Sequence, residues 1–598
     1  MQDNFVQSFY LGTNQKAYEF FGAHAYGNGV VFRVFAPRAK GVFITGVFNH
    51  WQNNDPMVRI DDSGIWEKVI PNAKEYDAYK YFVVGEDGVE RYKADPYGFY
   101  SEKRPDMASI IYNLEGYKWS DQEWMTSRNK ASIARGPLNI YEVHLDSFNK
   151  ETINSYEKFC NELIPYVKKM GYTHLELMPI SEYPYDPSWG YQVTGYYAPT
   201  SRYGTPKELM SFVDRCHVEG LGVILDWVPG HFPKDEAGLY RWDGSHQYEY
   251  EEEKKRYHKN WGTAIFDWGK PEVKSFLISN ALYWLKEYHF DGIRMDAVSS
   301  MLYLDYDRPD GQWQPNIYGG KENLEAVEFL KTLNRVVGEE VPQALMIAEE
   351  STAWPKMTVP LEHGGMGFDF KWNMGWMNDT LKYMSLGEEE RKQNSHLLTF
   401  SITYAFGEKY ILPFSHDEVV HLKRSLLRKM PGDKNEMLGN LRAMMGYMMA
   451  HPGKKLIFMG GELAQEEEWN FEASLQWDLL EQKEHKEFQE FMQGLNHFYK
   501  DNSALWERDT DEGGFQWFNI EETKKGILSF QRNNLKGEAL IVVANFTGAA
   551  VKNLSLPHCI GKYEVAFSTS NKMGGISITE KGLTIPAYTT VFIRKEGC

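Results

Sequence analysis

Between residues 138 and 461, short apolar runs alternate with longer amphipathic stretches, and this rhythm limits the fold more than any other feature. The runs are "LNIYEVHL", "HLELMPI", "GVILDWV", "FDGIRMDAV", "ALMIAEES", "FSITYAF", "YILPFSHDEV" and "KKLIFMGG". Most are separated by a helical pattern. In "PEVKSFLISNALYWLKEYH", Val273, Phe276, Leu277, Ala281, Trp284, Leu285 and Tyr288 recur at helical spacing, and Pro271 suits the first turn. "ELMSFVDRCHVEG" and "NLEAVEFLKTLNRVV" behave alike. Eight strand signals interleaved with helices predict an α/β fold built on a (β/α)8 TIM barrel. A doubly wound sheet is the alternative, but no G-x-G-x-x-G follows an early strand.

The flanks read differently. From about residue 20 to 110, "GVVFRVFAPRAKGVFITGVFNHW" and "YDAYKYFVVGEDGVERYKADPYG" give strands separated by Gly, Pro, Asn and Asp turns, which predicts a β-sandwich. "GILSFQRNN", "ALIVVANFTG" and "TTVFIRK" predict a second all-β unit at the other end. The expected division is an N-terminal β-sandwich over 1–115, a barrel over 116–500 and a C-terminal β-domain over 501–598. Trp51 and Trp66 are candidates either for the sandwich core or for a sugar-binding surface. His24 is expected to be structural, and Trp372 and Trp376, four apart, are expected on a helix.

Polar residues recur at the ends of the barrel runs. Asp226 and His231 follow "GVIL", Arg294 and Asp296 end "DGIRMD", Glu349 ends "LMIA", and His416 with Asp417 ends "ILPFS". Carboxyl ends of barrel strands converge on one face, where active sites sit. Residues two apart on a strand share a side, so Arg294 and Asp296 are neighbours. Taken alone, that pair could be a buried structural ion pair. Several carboxylates with two histidines and an arginine on one face point to chemistry. Divalent metal binding and glycoside chemistry are the two classes such carboxylates serve. Abundant aromatics and Arg294 favour the second, since a metal gains nothing from a cation among its ligands.

Composition removes other classes. A formal charge of −18 on 598 residues disfavours nucleic acid and anionic membranes as partners. Neutral glucans are not repelled, and 15% aromatic residues suit stacking on sugar rings. Cys160, Cys216, Cys559 and Cys598 are scattered, so neither a disulfide framework nor a zinc site is expected. "MQDNFVQSFYLG" lacks a secretory pattern and no apolar run approaches membrane-spanning length, so a cytoplasmic location is expected.

"DWVPGH", "DGIRMDAV", "IAEES" and "FSHDE" resemble the four signature regions of the α-amylase family of glycoside hydrolases and transferases. "SWGYQVTGYYAPTSRYGTP", "PNIYGGKENLEAVEFL", "GGMGFDFKWNMGWMNDTL", "HPGKKLIFMGGE" and "SLQWDLL" narrow the resemblance to the glycogen (1,4-α-glucan) branching enzymes. "GAHAYGNGVVFRVFAPRAKGVFITGVFNHWQ" resembles the carbohydrate-binding module that precedes the barrel there. The resemblance implies Asp296 as nucleophile, Glu349 as acid/base and Asp417 as stabiliser of the transition state. It implies that Arg294 keeps Asp296 ionised and that Asp226, His231, His416, Tyr191 and Trp189 bind substrate. The implied reaction moves an α-1,4-linked chain to a 6-hydroxyl of glycogen, amylose or amylopectin. A debranching or trehalose-releasing hydrolase, or a silent glycogen-binding scaffold, is the alternative. Gly230 stands where calcium-binding members have Asn, so no metal is expected, and no cofactor. "YEVHLDSFN" departs from the Gly-Ser-Trp more usual in branching enzymes at that place, which weakens a sugar contact there. A monomer is expected.

Overall fold

The computed structural model describes residues 2–60, 62–555, 563–570 and 575–595. Its centre is a closed barrel of eight parallel strands: β1 (Asn139–Val143), β2 (His174–Leu177), β3 (Gly222–Trp227), β4 (Gly292–Met295), β5 (Leu345–Ala348), β6 (Phe370–Trp372), β7 (Tyr410–Phe414) and β8 (Lys454–Phe458). Alternation along the strands divides the side chains into two layers. Ile140, Ile224, Leu345, Ile347, Phe370, Trp372, Ile411 and Leu456 pack together inside. Val143, Leu225, Ile293, Met295, Ala348 and Phe414 belong to the much larger core under the helices.

Seven barrel strands lie where the apolar runs predict them. The sixth does not. "FSITYAF" forms a short 3-10 turn over Phe400–Thr403 with Phe400 exposed, and β6 is supplied by "FKW" at Phe370–Trp372. Trp372 is therefore a strand residue inside the barrel, while Trp376 lies on the following helix, Met374–Ser385, its ring 5.1 Å from Phe414.

Helix Pro271–Glu287 has the expected stripe, yet Ser275, Ile278, Ser279, Leu282 and Tyr283 are buried too. An unanticipated N-terminal helix, Gln2–Tyr10, and the residues after it cover its outer side. Ser275 Oγ donates to Phe9 O at 3.3 Å, and Ala17 N donates to Ser279 Oγ at 3.0 Å.

The N-terminal region has two antiparallel sheets facing each other, with Phe32 of one 4.9 Å from Tyr79 of the other. It is tied to the barrel by Lys93 Nζ, which donates to Gly238 O and Tyr240 O, and by Gln247 Nε2, which donates to Phe35 O. Trp66 is buried and donates to Ala36 O at 2.9 Å, whereas Trp51 is exposed. His24 is hydrogen-bonded to Phe21 O through Nε2. C-terminally, a five-stranded and a three-stranded antiparallel sheet share a core of Ile541, Val543, Leu583, Ile585 and Val591. Cys160 and Cys216 are free thiols, and Cys559 and Cys598 lie outside the described residues.

Candidate active site

Arg294 points into the barrel because it shares a face with Gly292 and Asp296, and register places it beside Asp226 of β3. Its guanidinium is fully buried and rests over the Trp372 ring at 4.4 Å. Nη1 donates to Asp226 Oδ1 at 2.6 Å and to Asp296 Oδ1 at 3.1 Å, and Nη2 donates to Glu349 Oε2 at 2.8 Å. One planar cation thus fixes three carboxylates, a geometry that a lysine point charge would not reproduce. Glu349 Oε2 also accepts from Ala297 N at 2.8 Å.

Depth separates these groups. The Asp226 and Arg294 side chains are each 1% exposed, Asp296 and Glu349 are 13% and 14% exposed, and Asp417 is 44% exposed at the rim. Asp226 is held from below: Oδ1 accepts from Arg294 and Oδ2 accepts from the Tyr191 hydroxyl at 2.6 Å. That makes it the anchor of Arg294 and Tyr191. Tyr191 stacks on His416 at 5.5 Å. His416 is gripped by Glu142 of β1, through Nδ1 at 2.6 Å and its backbone N at 3.1 Å, leaving Nε2 3.5 Å from Asp417. His231 Nε2 stands 3.9 Å from Asp296 Oδ2. Trp189 has its ring near His416, stacked on His421 at 5.4 Å and packed against Trp469.

Electrostatics separates the groups further. Burial pushes Asp296 well above the usual carboxylate range; Arg294 opposes this, while Glu349, Asp226 and Asp417 add to it. Glu349 is also raised by burial against Arg294. Arg294 acts on Asp296 in the expected direction, favouring its ionised form, but burial and the neighbouring acids act against it. Crowding of carboxylates around one buried guanidinium thus favours the protonated forms of Asp296 and Glu349 relative to isolated carboxylates. Asp417 goes the other way: partial desolvation at the rim would raise it, but His416 and Arg294 lower it. Burial lowers His231 to about 4, so a neutral imidazole faces Asp296. His416 is raised to about 9, because Asp417 and Glu142 outweigh its burial.

Sequence reading passed over Glu142 and Trp469. Glu142 had a signal, an acid inside the fully buried strand "NIYEV". Trp469 had none, since it comes from an irregular segment after β8, where it also packs on His144 and receives support from Ser147 through its indole N–H at 2.8 Å. Glu350, next to Glu349, turns away and is bound by Lys371 at 2.5 Å. A side chain at Gly230 would meet Met301 and Ser300 at ordinary contact distance.

Comparison with known proteins agrees with this architecture. Residues 20–98 match carbohydrate-binding module 48 (isoamylase N-terminal domain), and residues 160–264 and 239–545 match the alpha amylase catalytic domain. The chain is 50% identical over 578 residues to a 1,4-alpha-glucan branching enzyme of Halothermothrix orenii, covering 95% of this chain and 92% of that one. It is 48% identical over 604 residues to a 1,4-alpha-glucan branching enzyme of Clostridium perfringens, covering 99% and 88%. A pullulanase from Anoxybacillus sp. LM18-11 complexed with maltotetraose has a TM-score of 0.75 at 17% identity, covering 96% of this chain and 87% of that one. At that identity only the fold is shared. With near-full-length identity on one side and the barrel with its carboxylate cluster on the other, the chain belongs to the 1,4-α-glucan branching enzymes of the α-amylase family.

Proposed function

We propose that the chain cleaves an α-1,4 bond in a glucan, holds the severed chain covalently on Asp296, and passes it to a 6-hydroxyl of a glucan by two displacements. In the first, a carboxylate oxygen of Asp296 attacks the anomeric carbon while Glu349 gives its proton to the departing glycosidic oxygen. In the second, Glu349 takes the proton of the incoming 6-hydroxyl, the new bond forms, and the bond to Asp296 breaks. Configuration is retained.

The observation that supports this most is the single guanidinium bridging Asp296 and Glu349. It positions attacking and proton-transferring groups relative to each other, and Asp226 fixes it from below. Retention requires these two carboxyls to work at about 5 Å. Asp417, at the rim and kept ionised by His416, is placed to accept hydroxyl hydrogen bonds from the sugar as positive charge develops. Tyr191, seated on His416, offers its ring to the same sugar, with Trp189 beside it. Arg104 of the N-terminal unit reaches Pro184 O and Asp186, in the loop that carries Trp189, which brings the proposed carbohydrate-binding unit close to the cleft of a proposed monomer.

Incubation with amylose tests the reading. New α-1,6 linkages with few new reducing ends are expected, and iodine colour should fall. Reducing ends rising in step with colour loss would make the chain a hydrolase.

A further inference from the structure

Nothing in the mechanism so far explains why a sugar hydroxyl, and not water, reaches the intermediate. The segment after β3 bears on this. His231 and Phe232 pair antiparallel with Ile265 and Ala264, which folds the intervening loop back over the barrel mouth. Trp261 consequently lies against His231, ring centroids 5.0 Å apart, and against His258 at 4.5 Å. Tyr306, from the segment after β4, completes the group at 5.9 Å from Trp261. His231 is itself the residue whose Nε2 is 3.9 Å from Asp296. Trp261 thus stands one ring beyond the nucleophile.

Three features set this aromatic group apart from core packing. Trp261 is 36% exposed although both imidazoles behind it are buried. Among the described residues, His231 Nδ1 and His258 Nε2 are buried nitrogen atoms with no hydrogen-bond partner. Buried polar atoms left without a partner are costly in a finished core, so the two imidazoles behind Trp261 are not placed there for packing alone. Finally, Tyr306 feels the cleft: its hydroxyl is raised to about 12 by burial and then by Glu349 and Asp296. The two segments are braced together, with Asn260 Nδ2 donating to Asp307 Oδ1 at 2.5 Å and Arg308 Nη2 donating to Tyr257 O at 3.0 Å.

Glu349 marks the side from which an acceptor arrives. The acid/base protonates the leaving oxygen, so the leaving sugar and the later acceptor occupy its side of the scissile bond. The segment after β4 is joined to Glu349 through Ala297 N to Oε2 and Val298 N to the carbonyl. Tyr191, Trp189 and His421 are grouped around His416 instead. We propose that Trp261, backed by His231 and His258 and flanked by Tyr306, is the platform for the acceptor glucan and a specificity-determining residue for transfer over hydrolysis. This rests on the branching reading above. A stacked acceptor presents its 6-hydroxyl at high effective concentration and covers the intermediate against water. With either acceptor the Asp296–C1 bond breaks, an O–C1 bond forms, and Glu349 takes the acceptor's proton. Only the sugar yields a branch.

The test uses the full chain with amylose, comparing wild type, Trp261→Ala and Trp261→Phe. Wild type is scored first for α-1,6 linkages; their absence would defeat the branching reading and this proposal with it. Given branching, Trp261→Ala should lower the ratio of α-1,6 linkages to new reducing ends about tenfold, as a stacking contact and its water exclusion are lost. Trp261→Phe should recover most of the ratio. An unchanged ratio in Trp261→Ala, or cleavage and transfer falling together at constant ratio, would overturn the proposal. Thermal unfolding distinguishes a folding defect; if Trp261→Ala unfolds early, Trp261→Phe and Trp261→Leu provide the ratio, with Leu expected below Phe.

Discussion

Asp291 and Asp296 stand at opposite ends of β4, five positions apart, both in buried charge clusters, and the clusters differ in their balance. At the amino end Asp291 is bonded by His217 Nε2 at 2.9 Å, Arg128 Nη1 at 3.1 Å, Trp124 Nε1 at 2.8 Å and Val223 N at 2.7 Å. His217 also binds Asp121 at 2.8 Å, and His289 binds Asp121 at the same distance. Two carboxylates meet three cationic or ionisable nitrogen groups. Despite burial, His217 and Arg128 hold Asp291 well below the usual carboxylate range. At the carboxyl end one guanidinium serves Asp226, Asp296 and Glu349, and burial raises Asp296. A buried cluster whose charges are matched is a fastening, here of the segment at 119–128 to the barrel floor. One left with excess like charge is costly to maintain and marks chemistry.

This contrast is broken most directly at Asp296. Asp296→Asn removes one member of an excess, so unfolding temperature should hold or rise slightly. Turnover on amylose should fall about ten-thousandfold or more, because a covalent step loses its nucleophile. A variant retaining a tenth of the activity would place the nucleophile elsewhere.

The same substitution at Asp291 should do the reverse. Asp291→Asn leaves Arg128 buried without its counter-charge and takes one of two from His217, at a cost of about 3–5 kcal/mol. Protein that remains folded should branch amylose at near the wild-type rate, since the floor of the barrel lies away from the cleft. Equal unfolding midpoints for wild type and Asp291→Asn would show that the cluster fastens nothing.

How much of this the sequence carried depends on what kind of element was read. "DGIRMDAV" shows both aspartates and the arginine, and alternation puts Arg294 with Asp296; nothing local says that Asp291 is neutralised by Arg128 and His217. Long β-rich runs bounded by helices identified seven barrel strands. β6 escaped because it is three residues long in a glycine-rich stretch, while Ile402 and Thr403 lent strand character to a 3-10 turn. Strand-end residues were legible since a barrel brings them to one face by construction. Trp261 and Trp469 were not, because irregular loops carry no period from which a side chain's direction can be read. The carboxylates' total environment was equally hidden: burial and three neighbouring acids act on Asp296 against Arg294.

The last distinction concerns pH. Both ring nitrogens of His217 face carboxylates, so it is held as an imidazolium, and Asp291 and Asp121 raise it to about 9 against its burial. Below about pH 6.5 the ring is charged in folded and unfolded chains alike, and the full attraction is present. Between about 6.5 and 9 the unfolded chain has released a proton that the folded chain keeps, so stability declines by about 3 kcal/mol. Above that window the contribution is gone. His416, raised to about 9 by Asp417 and Glu142, acts in the same direction from the other end of the barrel. Urea unfolding at intervals from pH 6 to 9.5 should therefore show falling midpoints. Asp291→Asn removes one of the two carboxylates that hold His217 and leaves His416 as it was, so its decline over the window should be shallower than wild type. Buried Lys93, lowered to about 7, acts in the opposite direction over this window, so the difference between the two proteins is the readout. Equal slopes for wild type and Asp291→Asn would mean that His217 is neutral in the fold and that the floor cluster is not charge-matched.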